Sequence, residues 1–197
     1  MEFHLQEKQT LRAQLRQKRR DYVAALPEST RGLLFRRPPA AIHALIPEGS
    51  IIGLYSALPA EAPPEGYARW FFEAGHKLAL PFFVNRGAAM QFRAFGDPHG
   101  ESDLAVGPFG MLQPDRSAPL LEPDVLFMPL IGFDAQGGRL GQGGGHYDRW
   151  LADHPGKIAL GLAWDCQLLE SFPREIHDQP LSAVITPTRL YGPFQQD

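Results

Sequence analysis

A chain of 197 residues with 44% hydrophobic and 21% charged residues has the size and composition of one globular domain with its own core, and we read residues 1–197 as a single domain. The net charge of -3 excludes the strongly basic balance of a dedicated nucleic-acid binder, and a lone cysteine, Cys166, excludes internal disulfides and cysteine-based zinc sites. Two biases remain: Gly 20 and Pro 19 load the chain with turns, and residues 1–37 hold nine basic but only four acidic residues, so a cationic start precedes an anionic body.

No apolar run approaches the roughly 18 residues of a membrane span. The basic N-terminus lacks the apolar core of a secretory signal, and Glu2, Glu7 and Asp21 argue against a transit peptide. The expectation is a reducing, cytoplasmic setting with no membrane partner.

In chain order, His4 to Leu26 has no Pro or Gly and repeats Leu11, Leu15, Tyr22 and Leu26 at helical spacing, which predicts an amphipathic helix. Lys8, Arg12 and Arg16 form a second stripe, offset by about 100° from Leu11 and Leu15. Such a stripe is either a solvated basic face or a row of cations reaching a neighbouring pocket. A second helix is expected from Thr30 to Ala44 across Pro38-Pro39.

Short apolar runs then predict strands over residues 50–56, 77–84, 89–95, 124–129, 157–164 and 183–186, with helices at Glu65 to Ala74 and Gly145 to Ala152. Val125-Leu126-Phe127-Met128 is apolar on both faces, as a sheet covered on both sides requires. The pattern predicts an α/β sandwich with a largely parallel sheet. Residues 96–123 read as a long connection or a minor hairpin.

Chemistry concentrates after the run ending at Pro129. Seven of the fourteen residues from Gly132 to Gly145 are glycine, between a buried strand and a helix start. Backbone N–H groups without side chains can close on an anion there, at the carboxyl end of a strand and at a helix N-terminus. The spacing fits neither a dinucleotide fingerprint nor a P-loop. Arg139 offers a planar fork to phosphate oxygens, and Asp148 a carboxylate for Mg²⁺. The alternative is a flexible surface loop in which Arg139 and Asp148 pair with each other.

Pro129-Leu130-Ile131-Gly132-Phe133-Asp134 followed by Gly138-Arg139-Leu140-Gly141-Gln142-Gly143-Gly144-Gly145-His146-Tyr147-Asp148-Arg149 resembles the signature of the 5-formyltetrahydrofolate cyclo-ligase family. Lys8-Gln9-Thr10-Leu11-Arg12 resembles that family's ATP-contacting helix, and Tyr55-Ser56-Ala57-Leu58-Pro59-Ala60-Glu61 its folate-contacting strand end. Phe109-Gly110-Met111-Leu112-Gln113-Pro114 and His177-Asp178-Gln179-Pro180-Leu181 complete the order.

The resemblance implies a three-layer α/β sandwich of the NagB/RpiA/CoA transferase-like kind, working as a monomer with 5-formyltetrahydrofolate and ATP as partners, no nucleic acid, and Mg²⁺ as cofactor. It implies ATP binding by Lys8, Arg12, Arg139, Leu140, Gly141, Gln142, Gly143, Gly144, Gly145, His146 and Tyr147. Folate would meet Glu61, Phe109, Gln142, Gly143, Gly144, Gly145 and His146. Asp148 and Asp178 would hold the metal, and Arg139 and Asp148 would be the catalytic pair. Position 144 is glycine where some relatives carry lysine, which leaves more phosphate charge to Arg139, Lys8 and Arg12. Position 146 is histidine where the family often has an aromatic residue. Competing readings at this stage are a non-catalytic nucleotide- or RNA-binding relative and a sugar-phosphate enzyme, since a glycine loop at a strand end serves many chemistries.

Overall fold

The computed structural model describes residues 2–175 and 177–194, with side chains from Gln6 onward. Helix α1 (Glu2–Ala25) is followed by two short helical turns, α2 (Glu28–Arg31) and α3 (Ala40–His43). The single helix expected from Thr30 to Ala44 is therefore not formed. Pro38 and Pro39 cannot donate backbone hydrogen bonds, and Pro39 instead starts α3 at its N-cap with φ -55° and ψ 146°.

Strand β1 (Ile52–Gly53) leads through α4 (Glu65–Glu73) to β2 (Leu78–Phe82) and β3 (Gln91–Phe95). A small hairpin, β4 (Leu104–Val106) with β5 (Leu112–Pro114), occupies the Gly/Pro-rich connection. The chain re-enters the sheet at β6 (Val125–Pro129), folds back through β7 (Gly132–Asp134) and β8 (Arg139–Leu140), and runs along α5 (His146–Asp153) into β9 (Ile158–Leu162). A 3₁₀ turn at Asp165–Gln167, β10 (Leu168–Leu169), β11 (Ala183–Ile185) and β12 (Leu190–Tyr191) complete the described fold.

The main sheet has the order β12-β11-β9-β6-β1-β2-β3; β2, β1, β6, β9 and β11 are parallel, and β3 and β12 are antiparallel edges. Both faces are buried, as the apolar runs predict. Val125 and Phe127 of β6 pack with Ile42, Tyr67 and Phe71 on one face, while Leu126 and Met128 pack with Trp150 and Leu151 of α5 on the other. Each such side chain, fully removed from water, contributes about 1.5 to 3 kcal/mol.

From β1 the chain moves outward through α4 to β2, then returns to place β6 on the opposite side of β1. The crossover direction thus reverses between β1 and β6. At such a reversal the segments leaving the two strands diverge, and a crevice opens beyond their carboxyl ends.

Candidate functional site

The crevice is a cleft of about 840 Å³ lined by the segment after β1 (Tyr55, Ser56, Leu58, Glu61), by Pro129 and Arg139 to Arg149, by α1 (Lys8, Arg12, Arg16) and by Glu175 to Asp178. Every residue expected to bind ATP, folate or metal lies on its wall. Phe109 is there too, 37% exposed, on the turn of the β4-β5 hairpin, so it is no core residue.

The glycine loop is open to an anion. The backbone N–H groups of Gln142, Gly143, Gly144 and Gly145 donate no hydrogen bond to any described residue. Gly143 has φ +104° and Gly145, the N-cap of α5, has φ +62°, conformations that side chains resist. The amino end of α5 adds its partial positive charge beside them.

Two side chains of α1 reach the loop, and a third enters the cleft beside it. Arg12 Nε donates to the Gly141 carbonyl at 2.9 Å, and Arg16 Nη2 donates to Gln142 Oε1 at 3.0 Å. Burial, then the neighbouring Arg16, lowers the Arg12 pKa, yet an arginine remains charged in a protein. Lys8 lies deeper than an edge stripe predicts. It is 3% exposed, and its Nζ bridges Glu175 Oε2 at 2.8 Å and Asp178 Oδ2 at 3.0 Å. Of the two readings of the stripe, the row of cations entering a pocket is the one that holds.

Arg139 and Asp148 are paired, Nη2 to Oδ1 at 2.7 Å. Their side chains are only 5% and 16% exposed, so this is not the solvated surface pair of the alternative reading. The Gln179 N–H also donates to Asp148 Oδ1 at 3.2 Å, which ties the segment carrying Asp178 to the carboxylate. Arg139 Nε is shielded from solvent with no partner among the described residues. That desolvated donor is a cost the fold carries here, while the residue itself lies on the cleft wall.

On the opposite wall Glu61 is 6% exposed, and Gln142 joins the two sides by donating from Nε2 to Glu61 Oε1 at 2.8 Å. His146 stands edge-on to Phe83 and Phe109, with ring centroids at 4.9 and 5.6 Å. Desolvation, reinforced by Arg149, lowers its pKa, so near neutral pH it serves as a neutral aromatic wall. Burial first, then Glu61, raises the Tyr147 phenol pKa.

The resemblance gave no role to Arg16, Arg149, Phe83 or Glu175. Arg16 continues the Lys8-Arg12 stripe, and that spacing was the available signal. Glu175 had none, since its place beside Lys8 comes from contact across 167 residues. Glu175, His177 and Asp178 offer ligand atoms within 4.8 Å of one another.

The cleft's charges also bear on a metal. Lys8, Arg12, Arg16, Arg139 and Arg149 face Glu61, Asp148, Glu175 and Asp178, which nearly neutralise them. A bound triphosphate therefore needs another cation, and carboxylate oxygens beside a phosphate loop are the donor set a hard divalent ion takes. The residues fit Mg²⁺.

Residues 4–187 match the 5-formyltetrahydrofolate cyclo-ligase family. The chain is 33% identical over 146 residues to the 5-formyltetrahydrofolate cyclo-ligase of Escherichia coli K12, covering 71% of this chain and 79% of that one. It is 29% identical over 194 residues to the Mycolicibacterium smegmatis protein of the same name, covering 92% and 94%. Its fold is similar to the solved structure of Aquifex aeolicus 5,10-methenyltetrahydrofolate synthetase, with a TM-score of 0.73, 26% identity, and 96% and 94% of the two chains covered.

Proposed function

This chain belongs to the 5-formyltetrahydrofolate cyclo-ligase family, and from that premise we propose how its cleft performs the reaction. The activity is the ATP-dependent cyclisation of 5-formyltetrahydrofolate to 5,10-methenyltetrahydrofolate, with release of ADP and phosphate. A formamide carbon is a poor electrophile and its oxygen a poor leaving group. Transfer of the γ-phosphoryl to the formyl oxygen expels ADP and yields an imidate-like phosphate; N10 then attacks the activated carbon and sheds its proton. Breaking of the carbon–oxygen bond releases phosphate and leaves the methenyl bridge.

Most of this chemistry is positioning and charge stabilisation. Gln142, Gly143, Gly144 and Gly145 hold phosphate oxygens with their open N–H groups, and Arg139 follows the charge of the transferring phosphoryl group. Lys8 and Arg12 take the outer oxygens of the triphosphate. Asp148 and Asp178 hold Mg²⁺, which when bound supplies a compact divalent charge to phosphate oxygens. Glu61 accepts hydrogen bonds from the pterin N–H groups, and Phe109 and His146 wall the folate ring. The observation that supports this reading best is the contact between the glycine loop and the acid on the opposite wall, Gln142 to Glu61 at 2.8 Å, the closeness that a cleft taking both substrates calls for.

Protein, Mg²⁺, ATP and 5-formyltetrahydrofolate together are expected to yield methenyl product, followed by its absorbance, and ADP in equal amounts. ADP formation indifferent to folate would overturn the reading. Asp148→Asn is expected to raise the Mg²⁺ concentration for half-maximal activity by roughly tenfold, a loss of about 1.4 kcal/mol. An unchanged Mg²⁺ titration removes Asp148 from the metal site. We also propose that the chain acts as a single-domain monomer in the cytoplasm, a setting that its lone cysteine, Cys166, suits; no described helix is long and apolar enough to cross a membrane.

A further inference from the structure

Arg19 belongs to the buried row of α1, with Lys8, Leu15 and Val23, and is 5% exposed. Its Nη1 makes one long hydrogen bond, 3.3 Å to the Leu130 carbonyl, and lies 3.7 Å from Glu61 Oε1. Its Nε is shielded from solvent and has no partner among the described residues. Burying a guanidinium so sparsely bonded costs several kcal/mol. A methionine or leucine would pack this seam without that cost, so the cation calls for a reason other than packing.

Glu61 supplies one. Its carboxylate is buried, accepting from Gln142 Nε2 at Oε1 and from the Leu58 N–H at Oε2, 2.9 Å away. The groups facing it are Arg19 from α1, Tyr55 after β1 and Tyr147 of α5; Arg16 reaches only the far side of Gln142. Both phenols are raised in pKa, by burial first and then by Glu61 itself, and stay neutral. Cys166, next to Arg19, is likewise raised, chiefly by burial. Among the described residues, Arg19 is therefore the one cation within ion-pair distance of Glu61.

We propose that Arg19 is a positioning residue for the folate: from 3.7 Å it holds the buried Glu61 carboxylate in place at the cleft, so that the carboxylate exchanges Gln142 for the pterin N–H donors. Arg19 touches neither substrate and acts through Glu61. The inference rests on the assignment of Glu61 to the folate, and the variants below separate the two.

Kinetics with each substrate varied in turn test it. Arg19→Met leaves a buried carboxylate without its counter-ion, free to turn away from the cleft. A misplaced acceptor meets the pterin N–H groups poorly, so the KM for 5-formyltetrahydrofolate is expected to rise roughly tenfold, the effect of about 1.4 kcal/mol. The KM for ATP stays within about twofold, a few tenths of a kcal/mol. Arg19→Lys restores most of the affinity.

Arg19→Met combined with Glu61→Gln removes both buried charges, which protects folding where the single change does not. If Arg19 acts through Glu61, the double variant has the folate KM of Glu61→Gln alone. Additive losses, or equal rises in both KM values, would show that Arg19 merely packs α1 and overturn the proposal. If Glu61→Gln raises the folate KM and Arg19→Met does not, the Arg19 role alone fails. If Glu61→Gln leaves the folate KM at wild type, the Glu61 assignment fails and the Arg19 role with it.

Discussion

Arg139→Ala is expected to lower kcat/KM by roughly 10²- to 10³-fold, or about 2.7 to 4 kcal/mol of transition-state stabilisation. Arg139 lies on β8 at the mouth of the glycine loop, almost wholly buried, with Nη2 on Asp148 and Nε unpaired among the described residues. A guanidinium held in this way meets new negative charge without reorganising, so its removal falls on kcat as well as on kcat/KM. Alanine also leaves Asp148 with the Gln179 N–H as its remaining hydrogen-bond partner among the described residues, which loosens the carboxylate assigned to the metal. Arg139→Lys keeps the charge but loses the planar fork, and is expected to recover only part of the rate. Steady-state kinetics in both substrates decide the matter. A change confined to KM would reduce Arg139 to uniform binding.

The largest loss of stability is expected from Gly66→Ala. A Cβ at this position, in the first turn of α4, would lie 2.3 Å from the Phe35 carbonyl oxygen and 2.8 Å from Arg36 Cα. Both obstacles are backbone, so no rotamer change relieves them. Phe35 is fixed in turn: it has φ +54°, is 7% exposed, and stands edge-on to Trp164 and Tyr67. Overpacking of this kind costs roughly 3 kcal/mol, and alanine's better helix propensity returns about 1 kcal/mol at most. The net loss of about 2 kcal/mol lowers the melting temperature by about 4 to 8 °C. Thermal unfolding followed by circular dichroism measures it; an unchanged midpoint would mean that α4 shifts away from the Phe35 turn at no cost.

Local patterning was the legible part of the fold. The run without Pro or Gly became α1, and the residues apolar on both faces became β6 and β9 in the middle of a parallel sheet. Strands β7, β8, β10 and β12 escaped notice because two or three residues cannot display a period of two. Their existence depends on distant pairings, such as Phe133 with Leu168. The expected helix over residues 30–44 overweighted apolar spacing against two consecutive prolines.

The same division runs through the site. The glycine run, Arg139 and Asp148 lie within a few residues of one another, so the chemical types and their spacing could be read directly and announced a phosphate loop. Burial of Lys8 against Glu175 and Asp178, and of Arg19 against Glu61, could not be read that way. A cation on a helix looks equally suited to water or to a pocket until its partner is known. Here the partners arrive from 42 to 170 positions away, across the reversal between β1 and β6. Backbone conformation and hydrophobic periodicity follow from near neighbours and were set by the residues alone. Which charges meet, and which lie buried without a full set of partners, was decided by the folded chain, because Coulomb energy and desolvation depend on distance in space.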